Sequence, residues 1–282
     1  MDREIIQQII KSALAEDVGD GDHTSLSTIP VAARGNAKLL VKEEGTIAGV
    51  ELALEVFKEV DKDLEVEVLI NDGEEVKPGD IVLYVSGSVQ SILVAERLVL
   101  NLMQRMSGIA TTTHRIVAEL QGTGTQVLDT RKTTPNLRYL EKWAVRIGGG
   151  VNHRIGLYDM ILIKDNHVDY AGGIEAAVKA AKAYLLRTNK KLQIEVEVRS
   201  LQELEQLLAV GGADRVLLDN FSFDDLKKAV AMVNKTIPTE ASGGITPENV
   251  LEYARCGVDY ISMGALTHSV KSLDLSLKAV VN

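Results

Sequence analysis

The sequence predicts an α/β protein whose second part forms a barrel of parallel strands. From residue 125 onward, short segments rich in apolar and β-branched residues alternate with amphipathic helical patterns. This alternation is typical of parallel strands that are joined by right-handed helical crossovers. Each strand segment also ends in a charged residue, a hydroxyl residue or a glycine. Because the carboxyl ends of barrel strands carry the active site, these polar residues are the first candidates for function.

The predicted strands have the composition of strands that are buried on both faces. They are TQVLDT, DMILIKD, LQIEVEV, DRVLLDN, PTEASGG and DYISMGA. The helical patterns between them are GGIEAAVKAAKAYLL, SLQELEQLLAV, SFDDLKKAVAMV and TPENVLEYARCG, several of which begin with an Asp, Ser or Thr cap.

Residues 1–106 are predicted to form a separate domain of mixed α and β structure. An amphipathic helix opens the chain, a second helix is expected from about Glu51 to Val60, and NDGEEVKPGD carries the Gly and Pro of a tight turn between two strands. A long apolar helical pattern follows, which Gly108 is expected to break in two. Residues 107–268 are assigned to the barrel domain, and residues 269–282 to a C-terminal helix that packs back on the N-terminal domain.

Composition excludes several classes of protein. A net charge of −9 and 4% aromatic residues argue against a nucleic-acid surface, and a single cysteine, Cys256, excludes a disulfide framework. No histidine lies at a metal-ligand spacing with a second one or with the cysteine, so a zinc site is not expected. The acidic residues near the start and the lack of a long apolar run predict a cytoplasmic protein without a membrane segment.

Four strand ends are spaced by one strand and one helix each. From Glu197, the distances along the chain to Asp219, Ser242 and Gly264 are 22, 23 and 22 residues. We therefore expect these four residues to lie at one height around a common mouth. The glycines of ASGGIT and YISMGALTHS, on successive strands, predict a phosphate cradle.

Basic residues gather at the same predicted mouth, which implies an anionic ligand, because converging cations repel one another when no anion is present. They are Arg97, Arg131, Lys132, Arg154 and Lys164, with His153 beside Arg154 as a further donor to a carboxylate. The carboxylates of Glu197 and Asp219 suit magnesium, which bridges to substrate phosphates. Glu195 lies on the same pleat face as Glu197, and either acid could instead be a structural partner of a lysine in the site.

Several long motifs carry a resemblance to a known family. They are ERLVLNLMQRMSGIATTT, DTRKTTPNLRYLEKWAVRIGGGVNHRIGLYDMILIKDNH, EVEV, LLDN, ASGGIT and GVDYISMGALTHS. In this order, and over essentially the whole chain, they resemble quinolinate phosphoribosyltransferases. The resemblance implies an incomplete (open) α/β barrel that follows an N-terminal α/β sandwich domain. It also implies a magnesium-dependent transfer of phosphoribose from phosphoribosyl pyrophosphate to quinolinate, with loss of carbon dioxide, in NAD synthesis.

The resemblance also implies a role for each matching residue. Arg131, His153 and Arg154 would hold quinolinate. Thr133, which shares the DTRKTTP motif with Arg131, would also bind substrate. Lys132, Lys164, Glu197 and Asp219 would be catalytic, the two acids facing the ribose hydroxyls and magnesium. The 5′-phosphate would be bound by Ser242, Gly243, Gly244, Gly264 and Ala265. A homodimer is implied in which Arg97 reaches the partner's site.

Three alternatives remain at the level of sequence. A paralogous pyrophosphorylase of the same fold would use another acceptor, although the retained DTRKTTP and VNHR motifs disfavour it. A Schiff-base aldolase would use Lys164 as its nucleophile. A ligand-binding or lipoyl-like module without catalytic activity is disfavoured by the charged mouth.

Overall fold

The computed structural model of the chain describes residues 2–280. The chain divides into two compact units, and its path enters each of them more than once. The first unit contains the residues up to His114, Thr134–Gly149 and the residues from Ser269 on. The second contains Arg115–Thr133 and Gly150–His268. This division differs from the predicted one, because residues 107–114 and 134–149 belong to the first unit.

The first unit combines helices with two small antiparallel sheets. In chain order its elements are α1 (Arg3–Val18), α2 (His23–Thr28), β1 (Arg34–Val41), β2 (Gly45–Thr46), α3 (Val50–Val60), β3 (Glu65–Val68), β4 (Glu75–Val76), β5 (Ile81–Ser88) and α4 (Val89–Glu119), whose last residues lie in the second unit. The chain leaves this unit for β6 (Gln126–Leu128), returns for α5 (Arg138–Ile147), and ends in it with β12 (Leu275–Ala279).

The larger of the two sheets has the strand order β12-β1-β5-β3, and its neighbouring strands are antiparallel. Buried and half-buried residues alternate along β1 and β5, as expected for a sheet with one face toward the core. Leu39, Val41, Leu83 and Val85 are fully buried on that face. The sheet and its helices match the predicted α/β sandwich domain.

Helix α4 is continuous over 31 residues, so the expected break at Gly108 is wrong. A Cβ atom built on Gly108 would collide with the backbone carbonyl of Lys271. The glycine therefore allows the returning C-terminal segment to pass close to the helix backbone. Glycine in a helix costs about 1 kcal/mol relative to alanine, and close approach of two backbones is a common reason for it.

The C-terminal segment is a strand, and the predicted helix in residues 269–282 is wrong. β12 pairs with β1 in antiparallel register, with Leu277 opposite Leu39. Its burial pattern alternates, and Leu275 and Leu277 face the core. Its partner β1 lies more than 230 residues earlier in the chain. This segment is a strand because it pairs with the open edge of β1. Residues 281 and 282 lie outside the described residues.

The second unit is built on the predicted alternation of strands and helices. After β6 its elements are β7 (Ile161–Ile163), α6 (Asp165–Ala171), α7 (Ile174–Thr188), β8 (Ile194–Val198), α8 (Leu201–Val210), β9 (Arg215–Asp219), α9 (Phe223–Val233), β10 (Thr239–Ser242), α10 (Val250–Arg255), β11 (Tyr260–Ser262) and α11 (Ala265–His268).

Six parallel strands form its sheet, in the order β6-β11-β10-β9-β8-β7. In the described residues β6 and β7 are not paired with each other, so the barrel is open, as the resemblance implied. Every residue of β8 is buried, including Glu195 and Glu197. The interior of this sheet therefore contains charged side chains as well as aliphatic ones. Among residues 2–280, no helix is both long enough and apolar enough to cross a membrane.

Candidate active site

A cavity of about 750 Å³ lies in the second unit at the carboxyl ends of the parallel strands. All predicted site residues except Arg97 and Thr133 line it. The lining residues that were predicted are Arg131, Lys132, His153, Arg154, Lys164, Glu197, Asp219, Ser242, Gly243, Gly244, Gly264 and Ala265. Side chains spread over more than 130 positions of the chain thus meet in one place. They do so because parallel strands end at the same rim.

Two predicted residues are not among those that line the cavity. Arg97 is an exposed residue of α4 in the first unit, and Thr133 is a half-buried residue that follows Lys132. From the sequence, Arg97 was grouped with the cations at the mouth, but it does not line this cavity. The resemblance implied that it reaches the site of a partner subunit, which concerns a second copy of the chain and stays a prediction. The substrate-binding role of Thr133 also stays a prediction.

Glu197 and Lys164 form the acidic and basic pair at the end of β8 and β7. The ammonium of Lys164 lies 3.9 Å from Oε2 of Glu197, and the backbone N–H of Asp165 donates to Oε1 at 3.4 Å. Burial raises the pKa of Glu197, the charge of Lys164 lowers it, and the nearby carboxylate of Asp219 raises it again. The pKa lies above its usual value on balance. A positive ligand group beside the two acids would favour the ionised form.

Arg131 and Arg154 bring two guanidinium groups to the same wall of the cavity. Arg154 is 9% exposed, and its Nη1 donates to the carbonyl of Met160 at 3.4 Å. Burial and then the charge of Arg131 lower the pKa of Arg154. Arg131 is exposed while Arg154 is buried. Repulsion between the two cations is relieved by an anion that bridges them, and the planar forks of two arginines suit a carboxylate pair.

Asp129 belongs to the charged DTRKTTP motif, but its carboxylate accepts hydrogen bonds from the neighbouring VNHR loop. It is completely buried just after β6, and its carboxylate accepts hydrogen bonds from the N–H of His153, at 2.8 Å, and from the amide of Asn152. This contact fixes the VNHR loop next to the segment that carries Arg131. The cluster of charges behind β6 therefore contains both a structural acid and ligand-facing bases.

Both ring nitrogens of His153 contact protein groups. Nε2 lies 2.9 Å from Glu195 and 3.5 Å from Glu240, while Nδ1 accepts the backbone N–H of Arg154 at 2.7 Å. Burial lowers the pKa of His153, but the two glutamates outweigh this effect and raise it to about 9. A proton on Nδ1 requires the Arg154 amide to turn away. Direct donation from His153 to a substrate likewise requires one of these contacts to be given up, so that role stays a prediction.

Below His153 lies a buried ionic group formed by Glu195, Glu240 and Arg215. Both glutamates are completely buried, and Nη1 of Arg215 donates to Glu240 at 3.0 Å. The guanidinium also stacks 4.6 Å from the ring centroid of Tyr260. Burial raises the pKa of Glu195, whereas the hydrogen bond from His153 keeps that of Glu240 low although burial opposes it. Ligand atoms of the two glutamates and His153 lie within 4.8 Å of one another, but Arg215 already supplies positive charge there.

Two glycine segments also line the cavity. Gly243 and Gly244 follow β10 with φ of 95° and 62°, a conformation that side chains other than glycine rarely adopt. At Gly264 a Cβ atom would lie 2.8 Å from Cδ of Lys132 and 2.9 Å from the ring of His268. The missing side chain thus makes room for Lys132 at the rim. Turns of this kind expose backbone N–H groups to an anion.

Comparison with known proteins identifies the family. Residues 22–107 and 109–278 match the family descriptions "Quinolinate phosphoribosyl transferase, N-terminal domain" and "Quinolinate phosphoribosyl transferase, C-terminal domain". The chain is 46% identical to "Nicotinate-nucleotide pyrophosphorylase [carboxylating], chloroplastic" of Arabidopsis thaliana, over 97% of this chain and 82% of that protein.

The chain belongs to the quinolinate phosphoribosyltransferase family. It is 45% identical to "Quinolinate phosphoribosyltransferase [decarboxylating] 2b, mitochondrial" of Nicotiana tabacum, again over 97% and 82% of the two chains. Its fold matches that of NadC from Streptococcus pyogenes with a TM-score of 0.93 at 37% identity, over 100% of this chain and 99% of the other. The predicted family and the predicted fold are both confirmed.

The cavity of this quinolinate phosphoribosyltransferase family member also contains residues to which no role in the site was assigned from the sequence. They are Thr130, Leu162, Leu217, Asn220, Glu240, Ile245, Thr246, Ser262 and His268. Leu162 and Leu217 have the apolar character of buried strands and give no functional signal. Asn220 had a signal, because it follows Asp219 directly at a strand end where polar residues were expected to converge.

Proposed function

We propose that this protein transfers the phosphoribosyl group of phosphoribosyl pyrophosphate to quinolinate. The products are nicotinate mononucleotide, pyrophosphate and carbon dioxide. The observation that carries this proposal is the meeting of three ligand sets in one cavity of a chain from this family. These sets are a basic wall, a pair of carboxylates and two glycine turns.

The basic wall explains binding of the acceptor. Quinolinate is a planar dicarboxylate, and Arg131 and Arg154 face the same cavity with guanidinium groups that bind carboxylates in a fork geometry. Burial and the charge of Arg131 lower the pKa of Arg154, so an anionic ligand beside the two guanidinium groups favours their charged forms. Two carboxylates on adjacent ring atoms supply the required charge.

The glycine turns and the acids explain binding of the donor. Gly243 and Gly244 present backbone N–H groups suited to the 5′-phosphate, since neither residue has a side chain to keep the phosphate away. The carboxylates of Glu197 and Asp219 accept hydrogen bonds from the ribose hydroxyls. They also stabilise positive charge that develops on the ribose ring as the bond to pyrophosphate weakens.

The same two carboxylates fit a magnesium ion, which we include in the proposal. Magnesium is held in proteins by one or two carboxylates together with substrate phosphates and water, and hard oxygen donors of this kind line the cavity. A bound magnesium ion neutralises charge on the pyrophosphate leaving group. Calorimetric titration of magnesium in the presence of pyrophosphate should show binding that is lost in both Glu197→Gln and Asp219→Asn.

Once the ring nitrogen has attacked the anomeric carbon, it carries a positive charge. The adjacent carboxylate can then leave as carbon dioxide, because the positive nitrogen stabilises the electron pair left on the ring. A proton from water then binds this electron pair, which gives nicotinate mononucleotide. Lys132 and Lys164 line the cavity and contribute charge near both ligands. The ammonium of Lys164 lies 3.9 Å from Glu197, at the end of the strand.

The activity is tested by release of labelled carbon dioxide from quinolinate carrying the label in the carboxyl group next to the ring nitrogen. Release should require both phosphoribosyl pyrophosphate and a divalent cation, and nicotinate mononucleotide should form in equal amount. Nicotinate, which lacks that carboxyl group, is the matched control acceptor. Transfer to nicotinate at an equal rate, or no release from quinolinate, would contradict the proposal.

We also propose a homodimer in which Arg97 completes the site of the partner. Its support is the resemblance of the ERLVLN motif together with the exposure of Arg97 on α4. Mixing inactive Arg97→Ala and Lys132→Ala proteins should restore about a quarter of the wild-type activity, because half of the dimers are hybrids with one intact site each. A mixture of Lys132→Ala and Lys164→Ala is the matched control. Both of these residues line one cavity, so no recovery is expected.

A further inference from the structure

Asn220 contacts both the acidic side and the phosphate side of the proposed donor site. It lines the cavity directly after β9, and its Nδ2 donates to Oδ2 of Asp219 at 2.7 Å. Its backbone N–H donates to the carbonyl of Ser242 at 2.9 Å. One short residue thus joins the ends of β9 and β10.

The side chain of Asn220 also packs against the glycine turn. A Cβ atom built on Gly243 would collide with the amide oxygen of Asn220. Asn220 itself has φ of 55°, in the left-handed region that few residues other than glycine and asparagine tolerate. Asparagine adopts this conformation without large strain, and Asn136, Asn189 and Asn234 do so elsewhere in the chain.

The ligand explains why such a link is useful. The ribose hydroxyls and the 5′-phosphate of phosphoribosyl pyrophosphate belong to one small molecule, so the distance between them varies little. Protein groups that bind both must be held at a matching distance, because small misplacements weaken binding. Asp219 and Gly243 are these groups in the proposed function, and Asn220 contacts each of them.

We propose that Asn220 is a positioning residue for the phosphoribosyl donor, which holds the carboxylate of Asp219 and the turn at Gly243 at the separation that the donor requires. The inference rests on the proposed function, since it assigns the ribose to the acid and the phosphate to the turn. It predicts a selective effect on the donor and little effect on the acceptor.

Asn220→Gly tests the role of the side-chain amide without changing the backbone conformation. Glycine adopts the left-handed conformation freely, so the fold is retained while the hydrogen bond to Asp219 is lost. We expect the Kd for phosphoribosyl pyrophosphate, measured by calorimetry, to rise roughly tenfold or more, as for the loss of a hydrogen bond to a charged group. The KM for quinolinate should change little. Asn220→Asp keeps the shape but places a second charge beside Asp219, and it should weaken donor binding further.

Asn234→Gly is the matched control, since Asn234 ends α9 with φ of 46° and does not line the cavity. It should leave donor binding unchanged. The inference is overturned if Asn220→Gly binds the donor as well as the wild type. It is also overturned if donor affinity, quinolinate KM and melting temperature all change together, as a purely structural role predicts. If the wild-type protein binds the donor but does not turn over quinolinate, the proposed function is wrong. The ratio of the donor affinities of wild type and Asn220→Gly would then still decide the role of Asn220.

Discussion

Replacement of Arg215 by methionine tests whether the buried ionic group is held by charge pairing. Arg215 begins β9, and its guanidinium donates to the completely buried Glu240 at 3.0 Å. It also lies 3.9 Å from the equally buried Glu195. Methionine retains much of the volume of the side chain but removes the charge and every hydrogen-bond donor. Among residues 2–280, Glu240 then keeps only His153 as a cationic partner.

The expected cost follows from the burial of the group that is left behind. Removal of one partner of a buried ion pair destabilises a protein by about 3–5 kcal/mol, mostly because the remaining charge stays away from water. The double variant Arg215→Met with Glu240→Gln removes both charges. Its free energy of unfolding should therefore exceed that of Arg215→Met alone, and the two effects should not add.

The measurement is urea denaturation followed by far-ultraviolet circular dichroism. Tryptophan fluorescence is unsuitable, because the one tryptophan, Trp143, lies in the first unit and Arg215 in the second. Arg187→Met serves as the matched control, since Arg187 is an exposed residue at the end of α7. A loss for Arg215→Met within about 0.5 kcal/mol of that for the control, the range of ordinary surface substitutions, would refute the reasoning.

Three further outcomes follow from the site. Arg131→Lys should raise the KM for quinolinate far more than that for the donor, because an ammonium cannot reproduce the guanidinium fork; equal changes in steady-state kinetics would remove Arg131 from the acceptor wall. Gly243→Ala should lower donor affinity measured by calorimetry by roughly tenfold or more, since its Cβ would collide with Asn220 at a φ of 95°; unchanged affinity would contradict the assignment of the turn. His153 has a pKa raised from 6.5 to about 9, so the stability it contributes is complete below pH 6.5 and is lost as the pH rises through about 9. The difference in unfolding free energy between wild type and His153→Gln should shrink over this interval, and a constant difference would show that the histidine is neutral throughout.

The carboxyl ends of the strands were predictable because they depend on chain topology alone. Glu197, Asp219, Ser242 and Gly264 follow successive strands, and parallel strands place such residues together whatever the details of packing. The parallel strands followed from the repeated alternation, and the open barrel from the resemblance.

The buried ionic group was not predictable, because it depends on register and on side-chain direction. Arg215 begins β9 and lies opposite Glu195, while Glu240 lies opposite Leu217 on the next strand. Nothing in the sequence shows that these side chains share the interior with His153.

The strand β12 had a clearer signal in the sequence, since Leu273, Leu275 and Leu277 alternate with polar residues as in a strand. Its partner is too distant in sequence to be recognised.

The pairing of β12 with β1 has a consequence for how the protein is made. During synthesis β1 emerges early, yet its outer edge stays unpaired until β12, more than 230 residues later, has left the ribosome. Until then the nascent first unit presents free N–H and C=O groups, to which other chains can add a strand. A chain whose synthesis stops between His268 and β12 would thus have every cavity-lining residue but one sheet left open to aggregation.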